Sequence, residues 1–211
     1  MTPARPPLPA FTDEPLFRLS VEVYHKLIDL GEFGEDDPVE LLDGVMVLKM
    51  PKKPPHVAAT SRIRRLLEQA LAGTRWHVRS QEPITLEESE PEPDGAVVRG
   101  EIDDYTARHP AGGDVALVIE VADASLRRDR ETKQRVYARA GIPVYWIVNL
   151  IDRHVEVLED PDPAAAPQPR YRRQQIVGAD GTLRVVVDGR EVGQVAVASL
   201  LPRGMSGGAA E

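Results

Sequence analysis

Apolar residues recur along this chain at helical spacing in three places and at strand spacing in most of the others. An aperiodic, proline-rich start over residues 1–15 reads as a flexible arm. Ser20 then offers an N-cap to VEVYHKLIDL, where Val23, Leu27 and Leu30 repeat on one face and Gly31 supplies a stop. In VELLDGVMVLKM the Asp43-Gly44 pair between apolar residues predicts a tight hairpin or a sharply bent strand. Prolines 51, 54 and 55 interrupt it, and a helix from about His56 to Ala72 follows, with Val57, Ile63, Leu66, Leu67, Ala70 and Leu71 as its buried stripe.

RWHVRSQEPITLE alternates as a strand, with Trp76, Val78 and Ser80 on one side and His77, Arg79 and Gln81 on the other. DGAVVR is a second short strand, and the connection GEIDDYTARHPAGG after it is long enough to suggest a lid or an insertion. The densely apolar DVALVIEVA predicts a strand buried on both faces of a mixed sheet. A helix from about Asp129 to Ala140, stopped by Gly141, leads to the strand IPVYWIVNL. The remainder reads as β-strands around a turn at Asp188-Gly189, with a proline-alanine loop DPDPAAAPQP between two of them and a disordered tail over 204–211. The expectation is an α/β (α+β) fold in a single domain over 16–203: a mixed central sheet flanked by helices, with extra C-terminal strands.

Composition narrows the chemistry. With no cysteine, disulfides, thiolate metal sites and cysteine nucleophiles are excluded. No apolar run reaches membrane-spanning length, and the N-terminal prolines do not suit a signal peptide, so no membrane association is expected and a cytoplasmic location is. The net charge of -8 argues against a generic basic nucleic-acid coat, but the charge is segregated: residues 51–80 sum to +6, residues 81–120 to -9 and residues 121–140 to +3. An acidic segment able to hold a cation, between two basic ones able to meet phosphate, is compatible with a metallonuclease. The plainer reading makes both basic segments the wet faces of helices.

Glu120 sits among apolar neighbours in its strand, where an ionised carboxylate needs a cation, an arginine or a proton. A buried ion pair with an arginine would serve equally well. Asp94 opens the neighbouring predicted strand, so the two carboxylates can approach each other, and a hard ion such as Mg²⁺ would relieve their repulsion. Lys133 lies on the next helix, sharing one side with Asp129, and can point back along the sheet.

These segments, VELLDG with His56 downstream, QEPITL, PEPDGAVV and VIEVADASLRRDRETKQRVYARAGIPVYWIVN, together resemble the PD-(D/E)XK nuclease-like superfamily and, within it, the Uma-two family of restriction-endonuclease-like proteins. The resemblance spans roughly residues 20–160 and implies a restriction-endonuclease-like core. It also implies Asp94 and Glu120 as metal ligands with the Val121 carbonyl, Lys133 as catalytic lysine and Glu40 as a further ligand or base, supported by His56 and Gln81. Tyr137 and Trp146 read as core residues. In the broader superfamily a lysine stands two residues after the glutamate; here that position is Ala122, and the lysine has moved to Lys133. The Ser-Pro usual after the Glu-Val pair is replaced by Asp123-Ala124.

The expectation is a Mg²⁺- or Mn²⁺-dependent endonuclease acting on DNA, with Arg62, Arg65, Arg127 and Arg128 as backbone contacts and a homodimer as a plausible assembly. Two alternatives stand beside it: a nuclease-like fold that binds nucleic acid or a partner without turnover, and a structural protein with buried ion pairs.

Overall fold

The computed structural model describes residues 16–34 and 37–203, so the expected N-terminal arm and the tail lie outside the described residues. Helix α1, Val21–Asp29, is capped as its sequence predicts: Ser20 Oγ accepts from the Val23 N–H at 3.2 Å. Its buried face differs from the expected one. Val21 and Tyr24 are covered, against Leu41, Leu19 and Met46, while Val23 and Leu30 face solvent. The helix rests on a small satellite cluster rather than on the main core, so its apolar stripe has no wall to face.

Strands β1, Val39–Leu42, and β2, Val45–Leu48, form the hairpin that Asp43-Gly44 demands, with φ of 49° and 73° at the two turn residues. Helix α2, Pro54–Ala70, starts two residues before the expected point because Pro54 sits comfortably in the first turn. It buries His56, Ala59, Thr60, Ile63 and Leu67; Val57, expected in the stripe, is exposed.

The centre of the molecule is a six-stranded mixed sheet in the order β3-β4-β5-β6-β7-β8. Its members are β3 Trp76–Arg79, β4 Gly95–Arg99, β5 Val115–Ala122, β6 Val144–Asn149, β7 His154–Asp162 and β8 Arg170–Val177. All neighbours run antiparallel except β5 and β6. A parallel pair requires a crossover, and here it is supplied by α3, Leu126–Arg128, a π turn over Asp129–Lys133, and α4, Gln134–Arg139. Thr182–Val187 and Arg190–Ala196, β9 and β10, form a separate hairpin, followed by the short helix α5, Val197–Leu200.

Every residue of β5 is buried, as its unbroken apolar run predicts. One core, under α2 and the β9–β10 hairpin, contains Leu117, Ile119, Val121 and Trp146; the other, under α4, contains Val118, Ala122, Tyr137, Tyr145 and Ile147. Each large side chain so covered contributes about 1.5–3 kcal/mol. Strict alternation holds only from Leu117 onward. Val115 joins the second core and Ala116 the first, because a bulge lets Val97 face Leu117 while Val98 faces Val115. The connection over residues 100–114 is pinned by Tyr105, which packs on His77 and donates to the Arg99 carbonyl at 2.8 Å. It lies away from the cleft described below, so it is an anchored crossing and not a lid over it. Strand β7 continues through Pro161 into the segment expected as loop. No helix among the described residues is long and apolar enough to cross a membrane.

Candidate active site

The antiparallel register pairs Gly95 with Ile119, and one further step sets Asp94 opposite Glu120. The Asp94 carboxylate is fixed there by three neighbours. Val121 N–H donates to Oδ2 at 2.8 Å, His56 Nε2 lies 3.1 Å from the same oxygen, and Gln81 Nε2 lies 3.4 Å from Oδ1. Ser80 Oγ donates to the Asp94 carbonyl at 3.0 Å. Burial alone would raise the Asp94 pKa; His56, the Val121 amide and the charge of Lys133 outweigh it and hold the carboxyl below its ordinary value.

Glu120, on β5, is treated differently by its surroundings. Burial pushes its carboxyl up to about 8, Lys133 pulls against that, and the charges of Asp129, Asp94 and Glu40 add to it. Lys133 Nζ donates to Glu120 Oε1 at 2.8 Å and lies 3.2 Å from Glu40 Oε2. Burial works against this ammonium, but Glu120, Glu40 and Asp129 overcome it and push its pKa up, so Lys133 stays charged while only 5% exposed. Glu40 reaches the cluster from β1, where the Glu92 N–H donates to its Oε2 at 3.3 Å.

The crossover helix delivers Lys133 on the π turn. Within it Asp129 and Lys133, four residues apart, are both buried. Asp129 accepts from Ser125 Oγ at 2.7 Å, and burial pushes its carboxyl up to about 6 against the opposing pull of Lys133, Ser125 and Arg128. Tyr137, one helical turn on, packs edge-on against Tyr145 and also donates to Glu120 Oε1 at 2.7 Å. Tyr137 is thus both a core residue and a partner of Glu120, and neither this bond nor the burial of Asp129 was anticipated from the sequence. The i, i+4 pairing of Asp129 with Lys133 and the i, i+4 pairing of Lys133 with Tyr137 are the signals that pointed to them. Trp146 is wholly a core residue.

Asp94, Glu120, Val121, Lys133, Glu40 and His56 therefore line one cleft between the β2–α2 connection and the start of α3. Gln81 reaches it through Asp94. Asp123, the residue standing in the altered loop, also lines the cleft; its carboxylate accepts from the Ala124 N–H and lies 3.8 Å from Lys53 Nζ on the facing wall. The four arginines expected at nucleic acid separate. Arg128 lines the cleft, donates to the Leu48 carbonyl at 2.8 Å and stands 3.9 Å from Glu40. Arg127 is exposed and paired with Glu131. Arg62 turns inward to the Leu201 carbonyl at 2.9 Å, and Arg65 lies on the outer side of α2.

The donor set suits a hard divalent ion. Four buried acidic side chains, Glu40, Asp94, Glu120 and Asp129, surround one buried ammonium, and a divalent cation would relieve the crowding that helps push Glu120 up. Among the described residues no three His, Asp or Glu side chains converge as a ready-made metal cage. Mg²⁺ does not require one, since it keeps several waters and is held through one or two carboxylates.

Comparison with known proteins gives the family and the fold. The family model "Uma2: Putative restriction endonuclease" matches residues 21–191. A crystal structure described as a putative nuclease from Anabaena variabilis superposes with a TM-score of 0.62 at 16% identity, over 82% of this chain and 96% of the other. The sheet with its flanking helices is thus a nuclease-like fold. No curated protein matches the chain.

Proposed function

Because the chain belongs to the Uma2 restriction-endonuclease family, we propose that it is a metal-dependent endonuclease that hydrolyses phosphodiester bonds of DNA. The observation that carries the reading is the meeting of Asp94, Glu120, Glu40 and Lys133, from β4, β5, β1 and the crossover helix, in one cleft. Asp94 and Glu120, with the Val121 carbonyl, are the groups that would hold Mg²⁺ or Mn²⁺. Once bound, the ion would supply Lewis-acid neutralisation of charge on the phosphate.

The chain's own groups divide the remaining work. Asp94 is kept ionised by His56 and the Val121 amide, so it is ready as a ligand. Lys133, held protonated, serves as a cation that orients a water and stabilises charge developing on phosphate oxygens; it is not the base. Tyr137 and Lys133 share Glu120 Oε1 and fix the direction of its carboxylate. Arg128 at the cleft wall offers a guanidinium to the phosphate backbone. In the reaction the water oxygen bonds to phosphorus and gives up a proton to solvent, the bond from phosphorus to the leaving oxygen breaks, and that oxygen takes up a proton from solvent.

The test is incubation of the purified protein with supercoiled plasmid and with single-stranded DNA, in Mg²⁺, in Mn²⁺ and in EDTA. Nicking that requires a divalent ion and disappears in folded Glu120→Gln supports the proposal. Cleavage that survives Glu120→Ala removes the site assignment. Metal uptake without cleavage of either substrate favours a binding module that has kept the fold.

A further inference from the structure

Helix α2 carries two stripes. One, with His56, Ala59, Ile63 and Leu67, is buried in the core. The neighbouring stripe, Val57, Ser61, Arg64, Arg65 and Glu68, stays outside and forms an open groove with Ser80 and Gln81 at the end of β3. One end of this groove meets the candidate active site, because Gln81 and Ser80 both bond to Asp94, and His56 at the start of α2 pairs with the same carboxylate.

Two features suit the groove to a chain of phosphates. Its only acid, Glu68, is engaged by Arg64 at 3.2 Å, whereas Arg65 has no ion-pair partner among the described residues. Gln81, at the junction, holds φ at 60°, with its N–H donating to the Pro93 carbonyl at 3.0 Å. A non-glycine residue in this left-handed region is uncommon and persists where surrounding contacts fix it. Its side-chain amide reaches Asp94 Oδ1 at 3.4 Å.

The geometry points to this groove as the track along which the backbone of a DNA strand approaches the carboxylates, with Arg65 as a phosphate contact; the inference rests on the proposed phosphodiesterase reading. Arg65 stands nine residues beyond His56, about 13 Å along the helix at 1.5 Å per residue. Arg65 therefore meets a phosphate of the same strand away from the one being cut. Arg62, turned to the Leu201 carbonyl, is not on this track.

The test reads binding separately from cleavage. Fluorescence anisotropy of a labelled DNA duplex of about 20 base pairs, titrated in EDTA at several salt concentrations, gives the slope of log K against log salt, which counts phosphate contacts. Arg65→Ala should lower the slope by about 1. Arg65→Lys should retain it, and Arg173→Ala on the far edge strand β8 should leave it unchanged. A slope unchanged in folded Arg65→Ala overturns the track even if the protein cuts DNA, and so does an absence of binding by the wild type. A slope that falls with Arg65→Ala in a protein inactive with Mg²⁺ and Mn²⁺ upholds the track and removes the phosphodiesterase reading instead.

Discussion

Replacing Lys133 by methionine isolates the electrostatics of the candidate site. The side chain keeps its length, but Glu120 and Glu40, at 2.8 and 3.2 Å from Nζ, lose the one ammonium between them. Breaking a buried ion pair from one side costs about 3–5 kcal/mol, a large share of the 5–15 kcal/mol typical of a folded domain. The loss should depend on pH. Burial already pushes Glu120 up to about 8 with Lys133 opposing it, and removing Lys133 pushes it further from the ordinary 4.5. A carboxyl with a raised folded-state pKa holds a proton that the unfolded chain has released. Wild type and variant share this loss between pH 4.5 and about 8; above that only the variant goes on losing stability, by at most about 1.4 kcal/mol per pH unit for this proton. Urea denaturation at pH 6 and pH 9, followed by the fluorescence of Trp76 and Trp146, should show Lys133→Met destabilised at both and more so at pH 9. The double variant Lys133→Met/Glu120→Gln should regain about 1–3 kcal/mol through their coupling. A single variant within about 1 kcal/mol of wild type at pH 9 refutes the claim that this ammonium compensates the buried carboxylates.

Other perturbations reach separate parts of the account. Asp94→Asn removes a carboxylate held below its ordinary 3.8; the stability that Asp94 contributes is present above pH 3.8 and lost as pH falls through the lower folded value, so acid titrations of wild type and variant should converge at low pH. Asp43 receives Arg135 and Arg139, each at 2.6 Å, and pins the β1–β2 turn to α4. Asp43→Asn tolerates the left-handed turn but weakens both charged bonds and should cost about 1–2 kcal/mol in urea melts. Leu67→Ala, fully buried in the core beneath α2, should cost about 2–5 kcal/mol and leave divalent-ion binding unchanged.

Much of this architecture is legible in the sequence where local chemistry and tertiary demand agree. Asp43-Gly44 specifies a turn that only residues tolerant of positive φ accept, and Ser20 caps α1 where the periodicity begins. The unbroken apolar run of β5 anticipates burial on both faces. Where a face is chosen by what lies opposite, periodicity alone misleads: the Val23–Leu27–Leu30 stripe of α1 and Val57 of α2 are apolar but find no wall, and the bulge at Val97–Val98 slips the alternation at Ala116. In the candidate site, spacing and family resemblance together point to Asp94, Glu120 and Lys133, strand alternation and resemblance to Gln81, and resemblance alone to His56. The i, i+4 spacing in DRETK puts Asp129 and Lys133 on one side, but the π turn that carries them has no signature in the sequence. The hydroxyl of Tyr137 on Glu120 escapes for a similar reason, since a core aromatic and a ligand-orienting one share the same apolar pattern.

The central claim is that the buried carboxylates Asp94 and Glu120 hold a divalent ion beside Lys133. Calorimetric titration of the purified protein with Mn²⁺ addresses it directly, using Asp94→Asn and Glu120→Gln variants whose folding is verified by circular dichroism. The account predicts saturable uptake by the wild type that is lost or weakened at least about tenfold, about 1.4 kcal/mol, in each variant. Uptake of equal affinity in wild type and both variants, or none in the wild type, would contradict it.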